Sequence, residues 1–246
     1  MRSSLQRIVV LTQRNLKEIL REPLSLVFTV AMPLVMEILF YFVFHNLTAQ
    51  FEMKYLAPGI VVFSQSFLTL FGGLLIATDR DTSFLKRLYV SKARSFEFIF
   101  AYVLALAPIA LAQSVLFFVV GGALDPSLFG VGMVLAVLLS MVTSLFFVAM
   151  GVLFGSICGV KSIGGVASVV IVGQSVLSGM WFPLEGLGEG IVKFMNALPF
   201  RNATTVVTQV ACGQGNVLLP LAVVVAYSVA AFVCAVVAFQ SKMREN

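Results

Sequence analysis

Six apolar runs of about 20 residues each dominate the sequence and decide what the chain can fold into. A helix needs roughly 20 apolar residues to cross a hydrocarbon core about 30 Å thick. A stretch such as VLAVLLSMVTSLFFVAM does not alternate apolar and polar residues, as a strand of a transmembrane barrel does. We therefore predict an all-α integral membrane protein with six transmembrane helices. The predicted spans are 24–44, 55–77, 98–120, 128–157, 163–182 and 216–239.

Composition excludes a soluble domain. The 246 residues are 60% hydrophobic and 11% charged, with a mean hydropathy of +1.03. Soluble domains are nearer half apolar and about 25% charged. The lipid bilayer is therefore the expected surrounding of the chain.

The distribution of lysine and arginine predicts the orientation. Of the 16 basic residues, only Lys54, Lys193 and Arg201 fall on one side of the predicted membrane. The positive-inside rule then places both termini in the cytoplasm. We expect the chain in the inner (cytoplasmic) membrane. The basic residues are dispersed over loop ends and do not form one basic face, so we expect no nucleic-acid partner.

The first 23 residues form an amphipathic segment ahead of the first apolar run. Apolar side chains recur at helical spacing on one face, and basic side chains occupy much of the opposite face. Such a helix lies on the membrane surface, so we predict an interfacial helix over 1–23 and a transmembrane domain over 24–243. Its role is either an anchor or a strut that transmits force from a cytoplasmic partner. The apolar set is Leu5, Ile8, Val9, Leu16, Ile19 and Leu20, and the basic set is Arg7, Arg14, Lys17 and Arg21.

A second amphipathic segment, TDRDTSFLKRLYVSKARSFEF, follows the second run on the cytoplasmic side. Asp79 and Asp81 precede Thr82 and Ser83, residue types that favour the start of a helix. The short helix predicted here carries an apolar patch flanked by basic residues, so it either docks a partner or lies in the lipid headgroups. The patch consists of Phe84, Leu85, Leu88 and Tyr89, and its basic neighbours are Lys86 and Arg87.

The stretch SGMWFPLEGLGEGIVKFMNALPF interrupts the apolar pattern between the fifth and sixth runs, on the outside. Ile191, Val192, Phe194, Met195 and Leu198 recur at helical spacing and predict a short amphipathic helix. Eight or so residues cannot cross a bilayer. The helix either lies at the membrane surface or belongs to a re-entrant hairpin, which we place at 183–215.

Glu37 is a carboxylate well inside a predicted span. Burying it in lipid costs about 3 kcal/mol or more, so it should face protein, water or a subunit interface. It forms either part of a polar translocation site or a hydrogen bond with a neighbour such as Gln65 or Gln113.

Three glycines spaced four residues apart, Gly151, Gly155 and Gly159, favour close contact between helices. We expect them to pack within the chain or at a dimer seam.

Taken together, these features resemble those of the ABC-2 type permeases, the membrane subunits of ABC exporters. That family has an LSG-x-x-FPLE-x-LP stretch before its last span, and Leu177, Ser178, Gly179 and Leu187 match it here. The stretch from Phe182 through Pro183 and Leu184 to Glu185 matches it as well. Two positions depart from the pattern: Gly188 replaces a second proline, and Leu198-Pro199 replaces Asn-Pro.

The resemblance implies roles for two segments. The helix after the second span would be a coupling helix that docks on an ATP-binding subunit, and the outside segment would cap the exit of the translocation route. The coupling residues are then Asp79, Asp81, Phe84, Leu85, Arg87, Leu88 and Tyr89. The exit-gate residues are Phe182, Pro183, Leu184, Glu185, Leu187, Phe194 and Pro199.

The resemblance also implies partners. The sequence has no G-x-x-x-x-G-K-[ST] phosphate loop, so we expect this chain to be a transporter subunit and not an enzyme. ATP and Mg²⁺ would bind to a separate ABC-type subunit, with no cofactor or metal on this chain. The second permease is either another copy of this chain or a related chain.

Substrate identity stays open at this level. An apolar, phenylalanine-rich route suits an amphipathic drug, antibiotic, lipid or peptide, and a polysaccharide or glycolipid exporter is the alternative. An ATP-independent membrane enzyme or scaffold is the rival class. An enzyme should carry a polar cluster at one membrane face, for which Glu185 and Glu189 are the candidates.

Overall fold

Helices form the regular structure of the protein. The computed structural model describes residues 4–21, 23–82, 95–182 and 184–245, and this part contains no strand. Within these ranges, three short 3₁₀ helices cover Ala49–Phe51, Pro126–Leu128 and Leu184–Gly186. The α-helices are α1 Ser4–Leu20, α2 Pro23–Phe44, α3 Met53–Ser66, α4 Leu68–Asp81, α5 Ser95–Leu124, α6 Val131–Ile157, α7 Val160–Leu177, α8 Glu189–Ala197, α9 Pro199–Ala211 and α10 Leu218–Glu245. The all-α prediction is confirmed.

Five segments are long and apolar enough to cross a membrane, counted over the described ranges. The first of them joins α3 and α4 across a single turn at Phe67. The remaining predicted span, 24–44, coincides with α2, whose described apolar stretch, Thr29–Phe44, is shorter. The chain is a multi-pass membrane protein, and the sixth span stays a prediction. The five segments are Met53–Asp81, Phe96–Leu124, Val131–Ile157, Val160–Leu177 and Leu218–Ser241.

Two predicted helix ends were wrong. The fifth run was expected to remain helical to residue 182, but α7 ends at Leu177 because Gly179 adopts a left-handed φ of 72°. Asp79 and Asp81 were expected to begin a new helix. They instead form the last turn of α4, and extended Thr82 ends that helix.

The helix pair α3 and α4 forms the centre of the bundle, with 83% of its most apolar window buried. One apolar cluster surrounds α3 and includes Ile60, Phe117 and Phe147. A second cluster surrounds α4 and α5 and includes Phe71 and Phe98. By contrast, only 17% of the corresponding window of α10 is buried. The central pair therefore holds the other helices in place.

Glycines bring α6 into backbone contact with α4. A Cβ at Gly151 would lie 2.7 Å from the carbonyl oxygen of Thr69, and one at Gly155 would lie 2.7 Å from that of Gly73. No real Cβ tolerates such distances, so only glycine permits this approach. The prediction of close packing is confirmed for these two residues, as contact within the chain. A Cβ at Gly159 would meet no atom within 4 Å.

Candidate functional site

Helix α1 is fastened to the bundle by two arginines on one of its faces. Arg7 donates from Nε to Oε2 of Glu97 at 2.9 Å and from Nη2 to Oε1 at 2.7 Å. Arg14 lies two turns further along α1 and binds both carboxylate oxygens of Asp79. Tyr102 donates its hydroxyl to Asp79 Oδ2 at 2.6 Å. We call these five residues the α1 clamp.

Burial makes the clamp a specific attachment. Glu97 and Asp79 are 0% and 1% exposed, whereas the two arginine side chains remain about 30% exposed. A buried carboxylate is costly unless it is paired and hydrogen-bonded, and a two-pronged arginine contact satisfies it in one orientation. The clamp therefore fixes the position of α1 on α4 and α5.

The two carboxylates differ in their helical setting. Glu97 lies in the first turn of α5, where the partial positive charge of the helix N-terminus favours an anion. Asp79 lies in the last turn of α4, where the helix end disfavours it. Asp79 therefore depends more strongly on its partners. Burial lowers the pKa of Arg14, but the hydrogen bonds and charge of Asp79 raise it, and the net pKa lies above its ordinary value.

The clamp changes the interpretation of two groups of predicted residues. Arg7 and Arg14 were assigned to the aqueous face of the interfacial helix, but they pair with buried carboxylates because these supply a stronger partner than water. Asp79, predicted as a docking residue, lies inside the chain, whereas Asp81 is exposed. The other predicted coupling residues, Phe84, Leu85, Arg87, Leu88 and Tyr89, lie outside the described residues.

A hydrogen-bonded polar cluster occupies the middle of the bundle. Gln65 donates to Ser114 Oγ at 3.0 Å and accepts from Thr143 Oγ1 at 3.3 Å. Ser140 donates to Ser114 Oγ at 2.8 Å. These groups satisfy one another and join α3, α5 and α6.

Glu37 and Gln113 do not take part in this cluster. Glu37 is 0% exposed and Gln113 2% exposed, and their side-chain oxygens and the Gln113 nitrogen have no hydrogen-bond partner in the described chain. A Cβ added at Gly121 would lie 3.1 Å from Glu37 Oε1, which places the carboxyl where α2 meets α5. The predicted hydrogen bond between Glu37 and a glutamine is therefore not formed. Buried polar groups of this kind are rare in native structures and call for an explanation.

The segment between α7 and α10, which was predicted to lie outside and keeps the name outside segment, contains two α-helices joined at Leu198 in its described part. Helix α8 confirms the predicted amphipathic helix: Met195 is buried, Lys193 is exposed, and Phe194 is 58% exposed. Pro199 is the first residue of α9. Asn202 donates to the carbonyl oxygens of Asn196 and Leu198 at 2.7 and 2.6 Å and fixes the corner between the helices.

The loop before these helices packs on the bundle. Leu184 lies over Gly179, where a Cβ would be 3.0 Å from its side chain. Trp181 donates to Ser175 Oγ at 2.9 Å and meets Phe40 edge to face, with 4.9 Å between the ring centroids. Phe182 and Leu187 are half-buried. Pro183 and the side chain of Glu185 lie outside the described part.

Helix α9 was missed in the sequence. Its apolar face, with Ala203, Val206 and Val207 all 0% exposed, packs among α3, α6, α7 and α10. The signal was present as polar residues at positions 201, 204, 205, 208 and 209, a helical spacing. It was hidden because the whole stretch was interpreted as one outside segment.

Comparison with known protein families identifies the family of this chain. A model of the family described as ABC-2 type transporter matches residues 6–211. The matched region begins in α1 and ends with the last residue of α9, so it includes the α1 clamp, the polar cluster, and helices α8 and α9. No curated protein matches the chain.

Proposed function

We propose that this chain, which belongs to the ABC-2 type transporter family, is the permease subunit of an exporter that moves an amphipathic or lipid-like substrate outward. The observation that carries the proposal is the family match over 206 residues of a helical bundle with several apolar spans. The family is a membrane component of ABC transporters. A drug, antibiotic, lipid or peptide suits the apolar walls.

The energy source is a separate ATP-binding subunit. We place its docking surface on the segment after α4, with Asp81 at its start and Phe84, Leu85, Leu88 and Tyr89 as its apolar part. Asp79 contributes indirectly, because its carboxylate is already bound by Arg14 and Tyr102. Two permease chains and two such subunits form the working unit, in the inner membrane with both termini in the cytoplasm.

The α1 clamp supports a path for the force. The docking segment connects α4 to α5 in the sequence, and the clamp joins α1 to both of these helices. The glycine contacts then join α4 to α6. A push on the docking segment would move α1, α4, α5 and α6 together, since packed elements shift as units between discrete arrangements. The ATP-bound partner must bind one of the two arrangements more tightly than the other.

The outside segment is proposed as the exit gate. Helix α9 is held among the spans, while α8 presents Ile191 and Phe194 with more than half of each side chain exposed. Phe182, Leu184 and Leu187 occupy the loop between α7 and α8. A rocking movement of two copies would release the substrate beneath this segment.

Co-purification tests the partner. Tagged chain is purified in mild detergent from its native host and its companions are identified by mass spectrometry. We expect an ABC-type ATPase with wild type and its loss from the Leu85→Asp, Leu88→Asp double variant. The matched control is Leu187→Asp, an apolar-to-acid change on the outside segment, which should keep the ATPase. An intact chain that never retains an ATPase would contradict the proposal and favour the enzyme or scaffold class.

Direction is tested separately in inside-out membrane vesicles. An outward pump accumulates a fluorescent amphipathic dye in these vesicles when ATP is supplied, and a variant lacking the ATPase partner does not. Accumulation in right-side-out vesicles loaded with ATP would contradict the export direction.

A further inference from the structure

A pocket of about 190 Å³ lies beside α9, with apolar and polar side chains in its wall. One face of α9 lines it with Arg201, Thr204, Thr205, Thr208 and Gln209, residues spaced by three and one along the helix. The opposite face of α9 is the apolar one that packs on the bundle. The pocket is therefore built by a helix whose polar stripe points away from the core.

Arg201 lines this pocket, and no described carboxylate pairs with it. Its Nη1 atom is buried and makes no hydrogen bond within the described chain, and no ion pair of Arg201 occurs there. Burial lowers its pKa, as expected for a guanidinium that loses water and gains no carboxylate. Partial burial of a cation costs free energy unless an anion pairs with it.

The pocket also carries acceptors that lack donors. Oε1 of Gln50 and Oε1 of Gln209 are buried without a partner in the described chain. Gln50 Nε2 donates to the carbonyl oxygen of Gly179 at 3.4 Å. The side-chain nitrogen of Gln50 is therefore hydrogen-bonded within the described chain, whereas its oxygen is not. A ligand that satisfies both Arg201 and these glutamine oxygens must therefore carry hydrogen-bond donors as well as negative oxygens.

Among the described residues, the hydroxyl of one threonine in the pocket is hydrogen-bonded to another side chain, and the hydroxyls of the other two are not. Thr204 accepts from Gln174 Nε2 at 2.9 Å and so belongs to the wall. Thr205 and Thr208 are half-buried, and their hydroxyls have no side-chain hydrogen bond to the described residues. These hydroxyls lie one turn apart or less on the same face as Arg201, where they can donate to an oxyanion.

We propose that this pocket binds an anionic phosphoester that carries hydroxyl or ammonium donors. The negative oxygens would pair with Arg201 and the two free threonine hydroxyls, and the donors would reach the glutamine oxygens. A phospholipid headgroup and a small phosphorylated molecule share this chemistry. The inference does not depend on the proposed transport function, because it rests on the chemistry of the pocket.

Binding can be measured with a fluorophore that the chain already contains. Trp181 is the only tryptophan, and it follows Met180, a residue of the pocket wall. Purified full-length protein in neutral detergent is titrated with sn-glycerol 3-phosphate and with short-chain phosphatidylglycerol below its micelle concentration. Short-chain phosphatidylcholine, which has the phosphate but no donor, is the third probe. Tryptophan fluorescence and thermal unfolding are followed together.

The variant Arg201→Gln removes the charge, and Lys193→Gln is the matched control. Lys193 is also an outside cation, but its side chain is 80% exposed on α8. We expect saturable binding by wild type and by the control, weakened at least tenfold in Arg201→Gln. Thr208→Val should weaken binding by a smaller factor, and phosphatidylcholine should bind less tightly than phosphatidylglycerol. Without ligand, Arg201→Gln should unfold no earlier than wild type, since no carboxylate of the described residues loses its partner.

The two sources give different patterns. Binding of phosphatidylglycerol alone identifies a lipid headgroup, and binding of glycerol phosphate as well identifies a free phosphoester. If wild type binds neither phosphatidylglycerol nor glycerol phosphate, the proposal is overturned. Equal affinity of Arg201→Gln and Lys193→Gln would also overturn it, because binding would then occur elsewhere.

Discussion

Replacing Arg14 with leucine should release helix α1 from the bundle. The substitution leaves Asp79, 1% exposed, with Tyr102 as its remaining hydrogen-bond donor among the clamp residues. Breaking a buried ion pair from one side costs about 3–5 kcal/mol. Because the Arg14 side chain is 30% exposed, we expect the lower end, about 3 kcal/mol.

The reverse substitution, Asp79→Asn, should cost less. It leaves Arg14 partly in water and still beside Glu18, so no buried charge is stranded. We expect about 1 kcal/mol, the net value of a typical hydrogen-bonded contact. The double variant Arg14→Leu, Asp79→Asn should cost less than the sum of the two single changes, since both charges are then removed together.

Hydrogen–deuterium exchange of the α1 amides measures this release. A loss of about 3 kcal/mol corresponds to an exchange rate about 100-fold faster, because 1.4 kcal/mol is a factor of ten. Lys17→Leu is the control, an exposed cation of the same helix, and should change exchange only slightly. Equal exchange in Arg14→Leu and Lys17→Leu, or additive effects in the double variant, would refute the clamp.

Three further results follow from the same contacts. Gly155→Val should lower the free energy of unfolding in detergent by about 1–3 kcal/mol, since its Cβ would lie 2.7 Å from an α4 carbonyl oxygen. The control Gly164→Val should be near neutral in the same assay, because a Cβ there meets no atom within 4 Å. Glu37→Met should raise the free energy of unfolding by about 1–3 kcal/mol because it removes a buried carboxyl without a partner; a loss of stability would show that the carboxyl is satisfied. A membrane-impermeant maleimide applied to intact cells should label Cys212 and not Cys158. Because burial raises the pKa of the Cys212 thiol, its thiolate is scarcer at pH 7 than that of free cysteine, and labelling should accelerate as pH rises. Labelling of Cys158 alone would indicate the opposite orientation in the membrane.

The sequence predicted the parts of this fold that depend on local pattern. Apolar length predicted the five long apolar segments, helical spacing predicted α8, and the glycine repeat predicted close helix packing, which the structure shows between α6 and α4. Each of these signals lies within one short stretch of chain. The ends of α4 and α7 were missed because extended Thr82 and left-handed Gly179 outweigh the helix-forming tendency of their neighbours.

The candidate sites were harder to predict because they join distant parts of the chain. An amphipathic pattern assigns Arg14 to water, but its partner Asp79 lies 65 residues away, and Glu97 lies 90 residues from Arg7. The seven-residue spacing of the two arginines was the available signal. The polar stripe of α9 was visible as well, but the sequence did not indicate that Arg201 would have no carboxylate partner among the described residues.

Site-specific photo-crosslinking tests the central claim most directly. A photoreactive amino acid is placed at Leu85, in the proposed docking surface, or at Leu187, on the outside segment, and irradiated in intact membranes of the native host. We predict a covalent adduct with an ABC-type ATPase from Leu85 and none from Leu187. An ATPase adduct from Leu187, or none from Leu85 in a complex that still co-purifies with the ATPase, would contradict the account.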